Sequence, residues 1–199
     1  MTTSRADILT TAREVYLEGG IDALTMRTLA GLIGVTATAL YRNFTNKEEI
    51  LTQVIEQGLD VFANYLNRSL AATTPWERFQ QSGREYLRFA LEHPRYYETL
   101  FMSSGLQDIG DCTDLDARRS ATFQFLVDRV AECMDAGLLR RDDPTEVALT
   151  TWAHSHGLVT LYFTGKFGDD TDTFSDLYNR SCQRFCCGLA DPSSLNSTN

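Results

Sequence analysis

The chain has no apolar run that approaches the length of a membrane span, and its opening residues, Met1-Thr-Thr-Ser-Arg5, lack the apolar core of a signal peptide. A cytoplasmic protein is expected. Proline is scarce, four in 199 residues, and Pro75, Pro94 and Pro144 stand where a helix would begin rather than inside one. Nothing alternates at a strand period for long, so the expected class is all-α, with about nine helices. Catalytic groupings are missing too: there is no glycine-rich phosphate loop, no His-Glu-x-x-His and no nucleophile elbow. An enzyme is not expected. Asp169-Asp170-Thr171-Asp172 lacks the later Glu of a calcium loop and reads as a solvated turn. The cysteines, Cys112, Cys133, Cys182, Cys186 and Cys187, are odd in number and have no paired zinc-ligand spacing. Cys182 and Cys186 could share a helix face, but buried reduced thiols are the expectation, and neither a metal nor a cofactor is expected.

Positive charge is also short, with 18 Lys and Arg against 27 Asp and Glu and a net charge of -9. That balance argues against indiscriminate nucleic-acid binding, so the distribution matters more than the total. Residues 1–52 carry five cations and six carboxylates, whereas the remainder carries thirteen against 21. The acidity sits mainly outside the first quarter. A near-neutral segment can still hold phosphates locally, because screening confines repulsion to about 8 Å at physiological salt. Weak non-specific binding and a modest salt dependence follow.

What is present in that first quarter is a helix corner. Thr25 can cap a short helix in which Met26, Leu29, Ala30 and Ile33 fall on one buried stripe. Gly34 suits the left-handed residue that ends it, Val35 can plug the corner, and Thr36 can cap the next helix. In that second helix Ala37, Thr38, Tyr41 and Arg42 cluster opposite Leu40 and Phe44, which should anchor it. The outward set is small first, then aromatic and cationic, as suits a helix whose start approaches base edges and whose end reaches the DNA backbone. Asn46 and Glu49 resemble a capping box for a long third helix. Lys47 in its first turn opposes the helix dipole, a misfit that is easier to understand if the ammonium faces a phosphate.

Residues 5–51 resemble the N-terminal domain of the tetracycline-repressor (TetR) family of transcriptional regulators. The resemblance rests on Ala12, Tyr16, Gly20-Ile21, Leu24-Thr25-Met26-Arg27, Leu29-Ala30, Gly34-Val35, Leu40-Tyr41-Arg42-Asn43-Phe44 and Lys47-Glu48. It implies operator contacts at Thr25 and Arg27, at Thr36, Ala37, Thr38, Ala39, Tyr41, Arg42 and Asn43 on the recognition helix, and at Lys47. The chain departs from the family pattern where Lys, Gly, Thr and His are frequent, having Ala37, Thr38, Ala39 and Asn43 there. Base preference therefore does not carry over. Ala37 and Ala39 offer only methyl groups, suited to a thymine methyl, and Thr38 adds a hydroxyl that serves either base type.

Beyond it, residues 47 to about 72 read as one long helix. Thr74-Pro75-Trp76-Glu77 and Asp143-Pro144-Thr145-Glu146 are helix starts, and His93-Pro94 breaks one helix ahead of a shorter one ending near Met102. Ser103 to Asp114 reads as a mobile loop, a further helix ends at Gly137, and a last helix covers about Thr173 to Leu189. The helix from Pro144, interrupted by Gly157, is apolar on most sides and so should be buried on most sides. Its Trp152-Ala153-His154-Ser155-His156-Gly157 resembles the Trp-Ala-x-x-His-Gly element in the C-terminal domain of a subset of the same family. That implies a helix-turn-helix domain over 1–50, a helical effector-binding and dimerisation domain over 51–190, and a homodimer through about residues 144–189. Residues 191–199 are polar, and a disordered tail is expected there.

The family usually holds a small effector between its last helices and those of the region matching 75–137. Candidates are Tyr86, Phe89, Tyr97, Phe101, Phe123, Trp152, His156 and Tyr162, although aromatics at helical spacing are more often plain core. His156 reads first as a packed histidine bonded to a backbone or Tyr group. The expected function is a DNA-binding transcriptional regulator, a repressor that holds a palindromic operator as a homodimer and is released by a small molecule of unspecified identity. The alternative is a helical ligand-binding or adaptor protein that does not use its helix corner.

Overall fold

A computed structural model describes residues 4–102 and 113–189, with the backbone alone over 113–120. Residues 103–112 of the loop expected over Ser103 to Asp114, Cys112 among them, and the expected tail lie outside the described residues, whereas Thr113 and Asp114 already belong to a helix. Among the described residues there are nine α-helices and one 3-10 turn: α1 (Arg5–Ala23), α2 (Met26–Ile33), α3 (Ala37–Leu40), α4 (Lys47–Arg68) with the turn Ser69–Ala71, α5 (Pro75–Glu92), α6 (Pro94–Phe101), α7 (Thr113–Asp135), α8 (Pro144–Phe163) and α9 (Thr171–Leu189). The chain forms two compact units. One holds the residues up to Val61 together with His93–Ala117, and the other holds Phe62–Glu92 with the residues from Arg118 onward.

In the first unit, the Ser4 hydroxyl accepts from the Asp7 amide and the Asp7 carboxylate accepts from the Ser4 amide, so α1 starts on a full capping box. Hydrogen bonds from the Ser4 hydroxyl, at 2.7 Å, and then from the Ser4 amide hold the Asp7 carboxyl below its ordinary value. Ile8, Ala12, Val15 and Tyr16 form the buried stripe of α1. The helix kinks at Gly20, whose φ of 73° and ψ of -166° are open to glycine and costly for other residues. The Tyr16 hydroxyl donates to the Arg95 carbonyl (3.0 Å) and lies 2.5 Å from the Thr99 hydroxyl, which fastens α6 to α1. Burial pushes that phenol up to about 12. Gly58 of α4 gives room to Tyr96 of α6, whose ring lies 2.5 Å from where a Cβ would stand.

In the second unit, Thr74 and Glu77 exchange backbone and side-chain hydrogen bonds at the start of α5, and Asp143 accepts from the Thr145 and Glu146 amides at the start of α8. Both starts follow the sequence signals. The core joins Phe79 of α5, Val127, Val130, Cys133 and Met134 of α7, Leu139 after the turn, Val147 and Ala148 of α8, and Cys186 of α9. Tyr178 of α9 donates to the Gly83 carbonyl of α5 at 3.0 Å. Burial pushes the Cys133 and Cys186 thiols up to about 12, so both stay protonated, but Cys187 is exposed, against the expectation that the thiols are all buried.

Two further expectations are corrected. The long helix stops at Arg68, and the chain tightens into the 3-10 turn before Thr74. α8 runs helically through Gly157, and within one chain it is not buried on most sides, since Leu149, Leu161 and Phe163 are exposed.

Gly58→Ala tests the closeness of α4 and α6. The Cβ collides with the buried Tyr96 ring, and overpacking costs about 1–3 kcal/mol, offset by up to about 1 kcal/mol of helix propensity. Thermal melts should show a Tm lowered by about 2–8 °C. An unchanged Tm would mean that Tyr96 moves aside freely.

Candidate nucleic-acid interface and buried polar relay

Thr25 accepts from the Thr28 amide at 3.0 Å and starts α2, with Leu29 and Ala30 buried and Met26 and Ile33 half-buried. Gly34 adopts the left-handed conformation, with φ 77° and ψ 32°, and its amide and that of Val35 both return to the Ala30 carbonyl at 3.0 Å. Thr36 then accepts from the Ala39 amide at 3.3 Å and starts α3. The corner is built as its residues indicate. The recognition element is shorter than the spacing implied, because regular α-helix ends at Leu40 and Tyr41 to Asn43 continue as a turn. Its amides still point inward: that of Asn43 reaches the Leu40 carbonyl at 2.9 Å and that of Phe44 the same carbonyl at 3.1 Å.

Leu40 and Phe44 are closed off from solvent, while Thr36, Ala37, Thr38, Tyr41 and Arg42 are exposed. The two-faced arrangement is present. Tyr41 keeps 54% of its surface open, a large aromatic for an exposed turn. Thr25 and Arg27 are exposed as well, and Ala39, Asn43 and Lys47 are half-buried. All ten residues belong to the first compact unit. Among the described residues, neither the Arg27 nor the Arg42 guanidinium is tied to a carboxylate.

Lys47 has a partner within the chain. Its Nζ donates to the Ile21 carbonyl at 3.1 Å, near the end of α1, so the cation that opposes its own helix dipole is accommodated inside the chain. The capping box at α4 is shifted as well. Asn46 Oδ1 accepts from the Glu49 amide at 2.8 Å, but the Glu49 carboxylate accepts from the Thr45 amide at 2.6 Å rather than from that of Asn46. Its other oxygen takes Arg5 Nη2 at 2.7 Å. The Thr45 amide first, and then Arg5, hold the Glu49 carboxyl below its ordinary value. Arg5, absent from the expected site, also donates to the Asn43 carbonyl and lies 4.0 Å over the Phe44 ring. Its partners stand 38 and 44 residues away, beyond the reach of any local pattern.

The eight aromatic and histidine candidates are divided between the two units. Tyr97 and Phe101 fall in the first unit, with ring centroids 5.2 Å apart and Tyr97 fully buried. The other six fall in the second. Phe89 is fully buried against Phe62 at 4.9 Å and Tyr65 at 5.8 Å, as plain core. Tyr162 stacks on Phe174 at 4.2 Å, where it joins α8 to α9.

Tyr86, Phe123, Trp152 and His156 do converge. Trp152 Nε1 donates to the Tyr86 hydroxyl at 3.3 Å, and that hydroxyl lies 3.3 Å from His156 Nδ1. His156 Nε2 stands 3.5 Å from the Thr160 hydroxyl, and Phe123 lies 6.2 Å from Trp152 between ring centroids. Trp152 and His156, four residues apart on one face of α8, thus both meet one tyrosine of α5. With its oxygen accepting from the indole, the Tyr86 hydroxyl can donate its own proton to Nδ1 of the neutral imidazole protonated on Nε2, or accept from Nδ1–H of the other tautomer.

Burial holds the His156 imidazole below its ordinary value of 6.5. A depressed base gains nothing from the fold above that value, and as pH falls through about 6.5 the unfolded chain takes the proton first, so stability declines. NMR titration of the His156 ring should give a midpoint below 6.5, and Tyr86→Phe should raise it where Tyr86 is the donor to Nδ1. An unmoved midpoint would mean that Tyr86 does not donate there.

Comparison with known proteins places this geometry. Residues 8–54 match the family model of the bacterial regulatory proteins of the tetR family, and residues 79–185 match the tetracyclin repressor-like C-terminal domain. The chain is 26% identical over 157 residues to the HTH-type transcriptional repressor KstR2 of Mycolicibacterium smegmatis, over 74% of this chain and 76% of that one. Its fold is similar to that of a protein of unknown function from Rhodococcus sp. RHA1, with a TM-score of 0.79 at 24% identity over 94% and 95% of the two chains. It is also similar to AibR in complex with isovaleryl coenzyme A and operator DNA, with a TM-score of 0.67 at 23% identity over 94% and 98%. With one family domain on the helix corner and another spanning more than half of its length, the chain belongs to the tetR family of bacterial transcriptional regulators.

Proposed function

We propose that the protein is a homodimeric repressor that holds a palindromic operator through α3 and releases it when a small molecule binds the second unit. The observation that carries this reading is the exposed face of the recognition element. Thr36, Ala37, Thr38, Tyr41 and Arg42 stand open over two buried anchors, with the Arg27 and Arg42 cations free for phosphates or base edges. KstR2 is named a repressor, and AibR was solved with both a ligand and operator DNA, which supports the same division of labour here. Half-sites would lie one DNA turn, about 34–36 Å, or a multiple apart. The effector must prefer the conformer that fits DNA worse, because equal affinity shifts nothing. Tyr86, Phe123, Trp152 and His156 are the residues proposed to meet it.

The outward row of α8 supports a dimer. Leu149, Ala153, Gly157 and Leu161 recur every four residues, Leu149 and Leu161 are 52% and 44% exposed, and a Cβ at Gly157 would meet nothing within 4 Å. A ridge of this spacing, with a gap where a second helix can come close, suits packing against its own copy. Leu149→Glu combined with Leu161→Glu should give a monomer by sedimentation and lose operator affinity with it. A persisting dimer would move the interface elsewhere.

Selection of bound DNA from a random pool tests the main reading, and enrichment of no palindrome would favour the adaptor alternative. With a site in hand, exchange of Ala37 or Thr38 should change which bases are preferred. Lys47→Ala should weaken all sequences alike and lower the slope of log affinity against log salt by about 1. An unchanged slope would confine Lys47 to its bond with the Ile21 carbonyl.

A further inference from the structure

Tyr41 and Arg42 stand on a turn that leaves one turn of regular helix, tied to it only by long backbone bonds from the Tyr41 amide to the Ala37 carbonyl (3.3 Å) and from the Arg42 amide to the Ala39 carbonyl (3.4 Å), so side-chain contacts at its exit bear on where it points. Three contacts meet just after them, and Arg5 is common to all three. One nitrogen of its guanidinium donates to the Asn43 carbonyl, the carbonyl that ends the recognition element. Another pairs with the Glu49 carboxylate at 2.7 Å, and the same carboxylate takes the Thr45 amide at 2.6 Å. The plane of the group lies over Phe44, the second buried anchor, at 4.0 Å. Asn43, Phe44 and Thr45 are therefore gripped in succession.

We propose that Arg5 is a positioning residue for operator reading, a clamp that fixes the exit of the recognition element and so sets where Tyr41 and Arg42 point. The proposal rests on the reading of α3 as the DNA-contacting element. The chemistry explains the residue type. Only arginine has donors on separate nitrogens of one rigid plane, able to serve a carbonyl and a carboxylate together while the face of that plane covers an aromatic ring. Lysine could keep the ion pair and would lose the stacking and the shared geometry. The Arg5 side chain is 43% exposed, so the ion pair alone adds little to global stability, and its value lies in local order. Without the clamp the free head samples more arrangements, and DNA must select one, which lowers affinity without changing the number of phosphates neutralised.

Operator affinity and its salt dependence separate this role from direct phosphate contact. Arg5→Ala should weaken binding by about 10- to 100-fold with an unchanged salt slope, and Arg5→Lys should recover part of the loss. Glu49→Gln should weaken binding in the same way, and the double variant Arg5→Ala/Glu49→Gln should be no worse than the weaker single one, since both open one clamp. A slope lowered by about 1 in Arg5→Ala would make Arg5 a phosphate ligand instead, and unchanged affinity or fully additive losses would overturn the clamp. Should Arg5→Ala fail to fold, Arg5→Lys and Glu49→Gln carry the same comparison. Amide hydrogen exchange over Tyr41–Thr45 in the DNA-free protein gives an independent reading. It should accelerate in the variants, and unaltered exchange would overturn the clamp even if the wild-type chain selected no DNA, an outcome that by itself would refute only the reading of α3.

Discussion

Leu40 and Phe44, both closed off from solvent, anchor a recognition element with only one turn of regular helix. One turn cannot sustain itself in water, because the cost of fixing the first few residues is recovered only as later ones add hydrogen bonds. The architecture of the first unit follows from that shortage. Gly34 and Thr36 set where the turn begins, the two anchors each contribute about 1.5–3 kcal/mol of burial beneath it, and the hydrogen bonds from Asn43 and Phe44 to the Leu40 carbonyl close it. α2, with its buried Leu29 and Ala30, is the platform on which the turn rests, and α1 is the strap around it.

The strap is held at both ends. At its start, Arg5 meets Asn43, Phe44 and Glu49, and at its end the Ile21 carbonyl receives Lys47. In the middle, Tyr16 bonds Arg95 and Thr99 and so brings α6 into the same unit as the helix corner, although α5 separates it from that corner in sequence. The chain passes between the two units within α4, near Val61 and Phe62, at the junction of α5 and α6, near Glu92 and His93, and within α7, between Ala117 and Arg118. A conformational change that starts in the second unit thus has three covalent routes into the first. Two of them are continuous helices, α4 and α7, and the third is the break before Pro94, beyond which α6 is bonded to Tyr16 of α1.

How much of this was legible follows the sequence separation of the interactions. Caps at Thr25, Thr36, Thr74 and Asp143 join residues two or three apart, and the residue types alone announce them. The buried stripe of α2 and the two faces of α3 were legible for the same reason. Helix ends were less so. The Glu49 carboxylate caps the Thr45 amide, one residue earlier than expected, while its other oxygen is held by the sequence-distant Arg5, and nothing in the pattern of α3 says where a turn takes over. Interactions across 70 or more residues, from Tyr16 to Arg95 and from Tyr86 to His156, leave no periodic trace. Aromatic spacing alone could not separate Phe89 and Tyr97, which are core, from Trp152 and His156, which share a partner.

The charge distribution gives the short reading element its importance. The chain carries a net charge of -9, while residues 1–52 hold five cations against six carboxylates, and Glu49 is already paired with Arg5. Such a head cannot hold DNA by charge density alone, unlike a strongly basic one that binds duplex of any sequence through counterion release. Affinity must come from contacts of short range, in which an error of one ångström removes a hydrogen bond or a methyl contact. An acidic regulator therefore gains discrimination against bulk DNA and becomes dependent on the placement of a few side chains. That dependence is the physical reason for a guanidinium to be spent on holding the exit of the recognition turn instead of on a phosphate.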